Sequence, residues 1–181
     1  NTTDIAFVHS STITGYTSRT YIADGWFYGC TALKTLYFTN FDGRNVSNLS
    51  YTFAGCENLT SISHFGKIDG SGATSMESMF SGCKALTSLD LSGWDTSAVV
   101  NMKNMFANCS KLTGITFGSN WNTSKVTNMQ MMFFGCSALT SLDVSKFNTA
   151  KVQYMDTMFN SCSALKSITF GSNFVTTAAT K

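Results

Sequence analysis

Phenylalanine stands three residues before each of six cysteines and leucine three residues after, so the apolar pattern of this chain runs in columns. The cysteines are Cys30, Cys56, Cys83, Cys109, Cys136 and Cys162, separated by 26, 27, 26, 27 and 26 residues. Ahead of them stand Phe27, Phe53, Phe80, Phe106, Phe133 and Phe159, and behind them Leu33, Leu59, Leu86, Leu112, Leu139 and Leu165. Six after each cysteine comes Leu36, Ile62, Leu89, Ile115, Leu142 or Ile168, and eight after comes Phe38, His64, Leu91, Phe117, Val144 or Phe170. A fixed period of this length marks stacked coils, each too small to bury its apolar stripe alone.

The resulting LxxLxL pattern is that of a leucine-rich repeat, and it predicts a short strand per coil near "TLYFT", "SISHF", "SLDLS", "GITFG", "SLDVS" and "SITFG". A buried aromatic follows at Phe41, Trp94, Trp121, Phe147 and Phe174. Val99, Met102, Met105, Phe106 and Cys109 keep the spacing of one helical face, which predicts a short helix returning the chain to the next strand. Asp95, Thr96, Asn122 and Thr123 stand where N-caps would satisfy its free amides, and Gly or Ser before the cysteine supplies the exit turn. The expected fold class is an α/β repeat. It is a leucine-rich-repeat solenoid of about six coils over residues 21–181, with one short parallel strand and one short helix per coil. Residues 1–20 form an N-terminal cap in this reading, with Ile5, Phe7 and Ile13 covering the first coil.

The stretches "SMFSGCKALTSLDLSGWDTS" and "MMFFGCSALTSLDVSKFNTAKV" resemble the BspA-like leucine-rich repeat, the 26-residue repeat of bacterial surface proteins. The resemblance covers about residues 21–175. It implies an extracellular or cell-surface protein built of tandem repeats, adhesin-like, and supplies neither a fixed ligand nor any catalytic residues. The first two coils depart from it. Ala23 and Trp26, then Leu49 and Thr52, replace the paired methionines, and "SHFGKIDGSGAT" breaks the turn motif.

Composition narrows the function further. A net charge of +2 with 12% charged residues gives no basic stripe for nucleic acid. No apolar run reaches 18 residues, and "NTTDIAFVHS" has neither a basic nor an apolar signal region, so direct membrane insertion is not expected. The chain begins without Met, which suggests a mature or excised fragment, expected to be part of a longer chain. Six cysteines invite a disulfide reading, yet their phase with Phe and Leu also makes them small buried hydrophobes. Pairing between adjacent coils, such as Cys30 with Cys56, requires Cα atoms within about 7 Å and stays open at this stage. Eight of nine methionines stand in two columns in register with the core, which favours packing over a soft-metal site, and Met131 alone should point outward. No GxGxxG, P-loop, CxxC or HExxH motif occurs, so no cofactor, metal or catalytic residue is expected. His64, at a strand position apolar elsewhere, reads as a substituted core or edge residue.

Side chains five, seven and nine after each cysteine should line the concave sheet face, the surface on which repeat proteins commonly bind. That face is mostly hydroxylic, and its candidate ligand-binding residues are Tyr37, Phe65, Asp90 and Asp143. Aromatic anchors carry disproportionate interface energy. The expected function is a non-catalytic recognition module binding a host or neighbouring-cell protein. The alternative is a carbohydrate-binding module or a purely structural stalk segment of a larger surface protein.

Overall fold

A computed structural model describes residues 4–8, 21–22, 25–39, 46–63 and 70–179, with side chains described for 25–38, 46–63 and 70–179. Phe65, His64, Phe41 and Ile13 lie outside the described residues. The described strands are β1 (Asp4–Val8), β2 (Tyr21–Ile22), β3 (Thr35–Thr39), β4 (Val46–Asn48), β5 (Ser61–Ser63), β6 (Ser88–Leu91), β7 (Gly114–Phe117), β8 (Ser141–Val144) and β9 (Ser167–Phe170). All pairing is parallel, within sheets β1-β3-β5, β2-β4, β6-β7 and β8-β9. The register sets Leu36 against Ile62, Leu89 against Ile115 and Leu142 against Ile168, so columns of sequence become columns in space.

The strand ladder starts earlier than the cysteine count implies. β1 pairs with β3 so that Ile5 faces Leu36 and Phe7 faces Phe38, extending the ladder from six strands to seven among the described residues. β1 of the segment read as a cap thus lies directly against the strand of the first coil.

The returning helix does not form: there is no helix among the described residues. The chain returns instead through overlapping turns. In the fourth coil Met105, Ala107 and Cys109 donate their N–H groups to the carbonyls of Met102, Asn104 and Phe106, three residues back. The alternate amides, of Met102, Asn104 and Phe106, donate across to Asn128, Gln130 and Met132 of the next coil, each at 2.9 Å. Every second amide thus closes a turn while its neighbour glues two coils, which satisfies the backbone without a helix.

The turns closed by Met105 and Cys109 carry a left-handed residue at their third position, Asn104 and Asn108. Positive φ occurs five residues before each cysteine, at Gly25, Tyr51, Ser78, Asn104, Met131 and Thr157, and again one before it, at Gly29, Gly55, Gly82, Asn108, Gly135 and Ser161. Two left-handed residues four positions apart are incompatible with a right-handed helix. Met131, expected to point outward, is half-buried at one of these positions.

Inside, the phenylalanine column forms one continuous stack from Phe27 to Phe159. Centroids lie 5.3 to 5.7 Å apart, with interplanar angles of 15° or less. Both methionine columns are buried except for the half-buried Met155. The expected N-caps serve turns as well. Asp95 and Asn122 accept the amides of Ser97 and Ser124, two residues on. Thr96 and Thr123 are fully buried and bond reciprocally to the next coil: Thr96 Oγ1 donates to the Asn122 carbonyl at 2.9 Å and accepts the Asn122 amide at 2.8 Å.

Candidate functional site

Along β6 and β8 burial alternates strictly, with Leu89, Leu91, Leu142 and Val144 inside and Ser88, Asp90, Ser141 and Asp143 outside. Three of the four candidates fall on one outward column, seven residues after their cysteines. Tyr37 is 43% exposed on β3 beside Ser63, Asp90 stands beside Thr116, and Asp143 beside Thr169. No two of them occupy paired strands, so the face is a spaced row and not a converging cleft. Phe65, the fourth, lies outside the described residues.

Both aspartates are held in place by the turn that ends their strand. Asp90 Oδ1 accepts the Ser92 amide at 2.8 Å, and Asp143 Oδ1 accepts the Ser145 amide at the same distance. Hydrogen bonds from the Ser145 side chain and amide, with help from the Lys146 charge, lower the pKa of the exposed Asp143 below the ordinary carboxylate value. Lys146 itself donates to the carbonyls of Phe117 and Gly118, at 2.9 and 3.0 Å.

The six cysteines are unpaired. From the second coil on, each thiol donates to the carbonyl of the phenylalanine one coil back: Cys56 to Phe27, Cys83 to Phe53, Cys109 to Phe80, Cys136 to Phe106 and Cys162 to Phe133, at 3.0 to 3.2 Å. Burial, reinforced by the neighbouring thiols, pushes Cys56 and Cys136 up to about 12 and raises Cys83 and Cys109 strongly. Such thiols are poor nucleophiles and poor metal ligands, because both roles require the thiolate. Among the described residues no group of three or more His, Cys, Asp or Glu side chains is placed to hold a metal ion. No helix among them is long and apolar enough to cross a membrane.

A second polar and aromatic strip lies on the turn face. Tyr28, 67% exposed, meets Tyr51, 37% exposed, edge to face at 6.4 Å. Tyr51 Oη donates to Glu77 Oε1 at 3.2 Å, and Asn101 Nδ2 donates to Glu77 Oε2 at 3.0 Å. Sequence reasoning passed over this strip, since a helical return gives no reason to pair Tyr28 with Tyr51. The usable signal was that both are large aromatics at positions held by smaller residues in most other coils.

Repeated short parallel strands on a shared core, with coils of fixed period, define a leucine-rich-repeat-like protein. The chain belongs to the family described as Mycoplasma protein of unknown function, DUF285, whose model matches residues 23–117 and 74–181. Among solved structures it is similar to a leucine-rich repeat protein from Bacteroides ovatus, at 20% identity and a TM-score of 0.46. That match covers 83% of this chain and 40% of the other, so the chain spans less than half the length of that protein. No curated protein matches the chain.

Proposed function

We propose that this chain is a non-catalytic recognition module of the BspA-like kind, acting outside the cell or at its surface and binding a protein of a host or neighbouring cell. The strand face is the contact surface in this reading. One observation carries it: the outward row of Tyr37, Asp90 and Asp143 sits on a backbone fixed by its neighbours, with each described carboxylate already oriented by an amide. Preorganised acceptors beside an exposed tyrosine lose little freedom on binding. The buried columns are fully used in packing, so outward side chains can differ without disturbing the fold.

The test is a binding screen of the intact chain against cell-surface proteins, followed by titration of the strongest partner. Tyr37→Ala is expected to weaken that partner tenfold or more, and Asp90→Asn with Asp143→Asn, which keep the turn acceptors but remove charge, to weaken it less. Affinity unchanged in all three variants would remove the strand face from consideration.

A carbohydrate ligand is the second reading, favoured by the Tyr28–Tyr51 pair beside the doubly bonded Glu77. Glycan-array binding that disappears in Tyr28→Ala and survives Tyr37→Ala would select it.

A further inference from the structure

We propose that the corner formed by Tyr28, Tyr51 and Glu77 on the turn face is a binding site for an organic cation, a quaternary ammonium or guanidinium group. The site lies on a different surface from the strand face and does not depend on that reading. Its three residues come from three consecutive coils and stand side by side. The Tyr28 and Tyr51 rings meet at 72° with centroids 6.4 Å apart, which makes two walls of a corner and not a flat platform. Tyr51 is tied to Glu77 twice: its amide donates to the Glu77 carbonyl at 2.8 Å, and its hydroxyl donates to Oε1 at 3.2 Å. Asn101 Nδ2, one coil further on, donates to Oε2 at 3.0 Å. Ring and carboxylate are therefore fixed before any ligand arrives.

The charge in this corner has no counterpart. Glu77 is half-buried, and among the described residues no lysine or arginine lies within ion-pair distance of it, Lys84 being engaged with Glu57 at 2.8 Å. The two side-chain donors to Glu77 are neutral and fill two of the roughly four acceptor directions of a carboxylate. Ring faces attract cations through their quadrupole, and the carboxylate adds to the same attraction.

Tyr51 is also a costly choice for the scaffold. It stands at φ 58°, at a position that other coils give to Gly25 or Asn104, and a bulky side chain is strained in that region. Strain of this kind gathers at functional sites. Asparagine would relieve it, but would supply no ring beside Tyr28.

This combination selects the ligand. An anion would meet the Glu77 charge, and a bare metal ion finds no cluster of three His, Cys, Asp or Glu side chains among the described residues. A neutral sugar could stack on Tyr28 but would leave the carboxylate uncompensated. An organic cation uses the rings and the charge together, and a weakly hydrated one such as guanidinium loses little on leaving water.

The probes are tetramethylammonium chloride and N-acetyl-arginine amide, titrated against the intact chain while ring and amide resonances are followed by NMR. Sodium chloride at equal ionic strength is the control. Saturable shifts of the Tyr28 and Tyr51 ring protons are expected at millimolar probe. Tyr28→Leu should weaken binding about fivefold, and Glu77→Gln about threefold, while Tyr28→Phe, which keeps the ring, should leave it unchanged. Equal protection of the Phe106 amide from hydrogen exchange in all three variants reports that the inner coils remain folded. Tighter binding of tetramethylammonium assigns the site to small quaternary amines, and tighter binding of the arginine probe assigns it to a basic side chain of a partner. Shifts that do not saturate, that sodium chloride reproduces, or that keep their affinity in both Tyr28→Leu and Glu77→Gln would overturn the proposal. A neutral oligosaccharide that saturates both tyrosines where neither cation does would overturn it in favour of the carbohydrate reading.

Discussion

Cys109 Sγ lies 3.1 Å from the carbonyl oxygen of Phe80, one coil and 29 residues earlier in the chain. That carbonyl also accepts the Cys83 amide from its own coil, so the thiol fills the second acceptor direction of an oxygen buried between two coils. Cysteine combines a small apolar volume with a weak donor, and both properties are used here. Cys109→Ala removes the bond and leaves a cavity of about one sulfur, for an expected loss of about 2 kcal/mol. Cys30 is half-buried at the first coil, and Cys30→Ala should cost less than half as much. Urea denaturation of the two variants beside the parent checks the difference.

The buried thiols also set a response to alkali. Their folded pKa values are raised, so between the ordinary thiol range near 9 and about 12 the unfolded chain loses protons that the folded chain keeps. Their contribution to stability is complete below pH 9 and declines as pH rises through that window, by about 1.4 kcal/mol per pH unit for each thiol. Stability measured from pH 8 to 11 should fall increasingly steeply, and Cys83→Ala should flatten the fall by about one thiol's share.

Two glycines four residues apart in one coil should respond unequally. A Cβ on Gly118 would stand 1.7 Å from the Ser92 carbonyl oxygen, whereas a Cβ on Gly114 meets nothing within 4 Å. Gly118→Ala is therefore expected to destabilise by about 3 kcal/mol, since the obstruction is backbone, and Gly114→Ala to change stability by less than about 0.5 kcal/mol. Thermal unfolding of the pair decides it.

Thr157 is an exposed β-branched residue at φ 54°, a conformation that Asn adopts with less strain. The fourth coil already carries Asn104 at the equivalent position. Thr157→Asn should stabilise the chain by about 1 kcal/mol, read as an increased denaturation midpoint with an unchanged slope.

The cysteine, phenylalanine and leucine columns were legible in the sequence because each coil repeats the same burial problem at the same position. The strand face was legible for the same reason, since alternation alone places Asp90 and Asp143 outward. The return was not. Met102, Met105, Phe106 and Cys109 recur at a spacing that a row of four-residue turns reproduces as well as a helix does. The distinguishing signal was small or turn-forming residues at two positions four apart, such as Gly25 with Gly29 and Asn104 with Asn108, which a helix cannot place in the left-handed region. β1 was missed as a ladder strand because it has no cysteine ahead of it. The Tyr28–Tyr51 strip was missed because those residues meet only when the return is built of turns.

Six thiols and nine thioethers, residue types suggestive of chemistry, serve the packing of the scaffold in this small chain. Thiol titration without reductant, in the folded and then the denatured protein with intact mass read alongside, tests it most directly. The predicted result is that Cys56, Cys83, Cys109 and Cys136 are silent when folded, only the half-buried Cys30 and Cys162 react slowly, and all six react once denatured. A mass lower by two hydrogens per bridge, or rapid labelling of the four inner thiols in the folded protein, would contradict it.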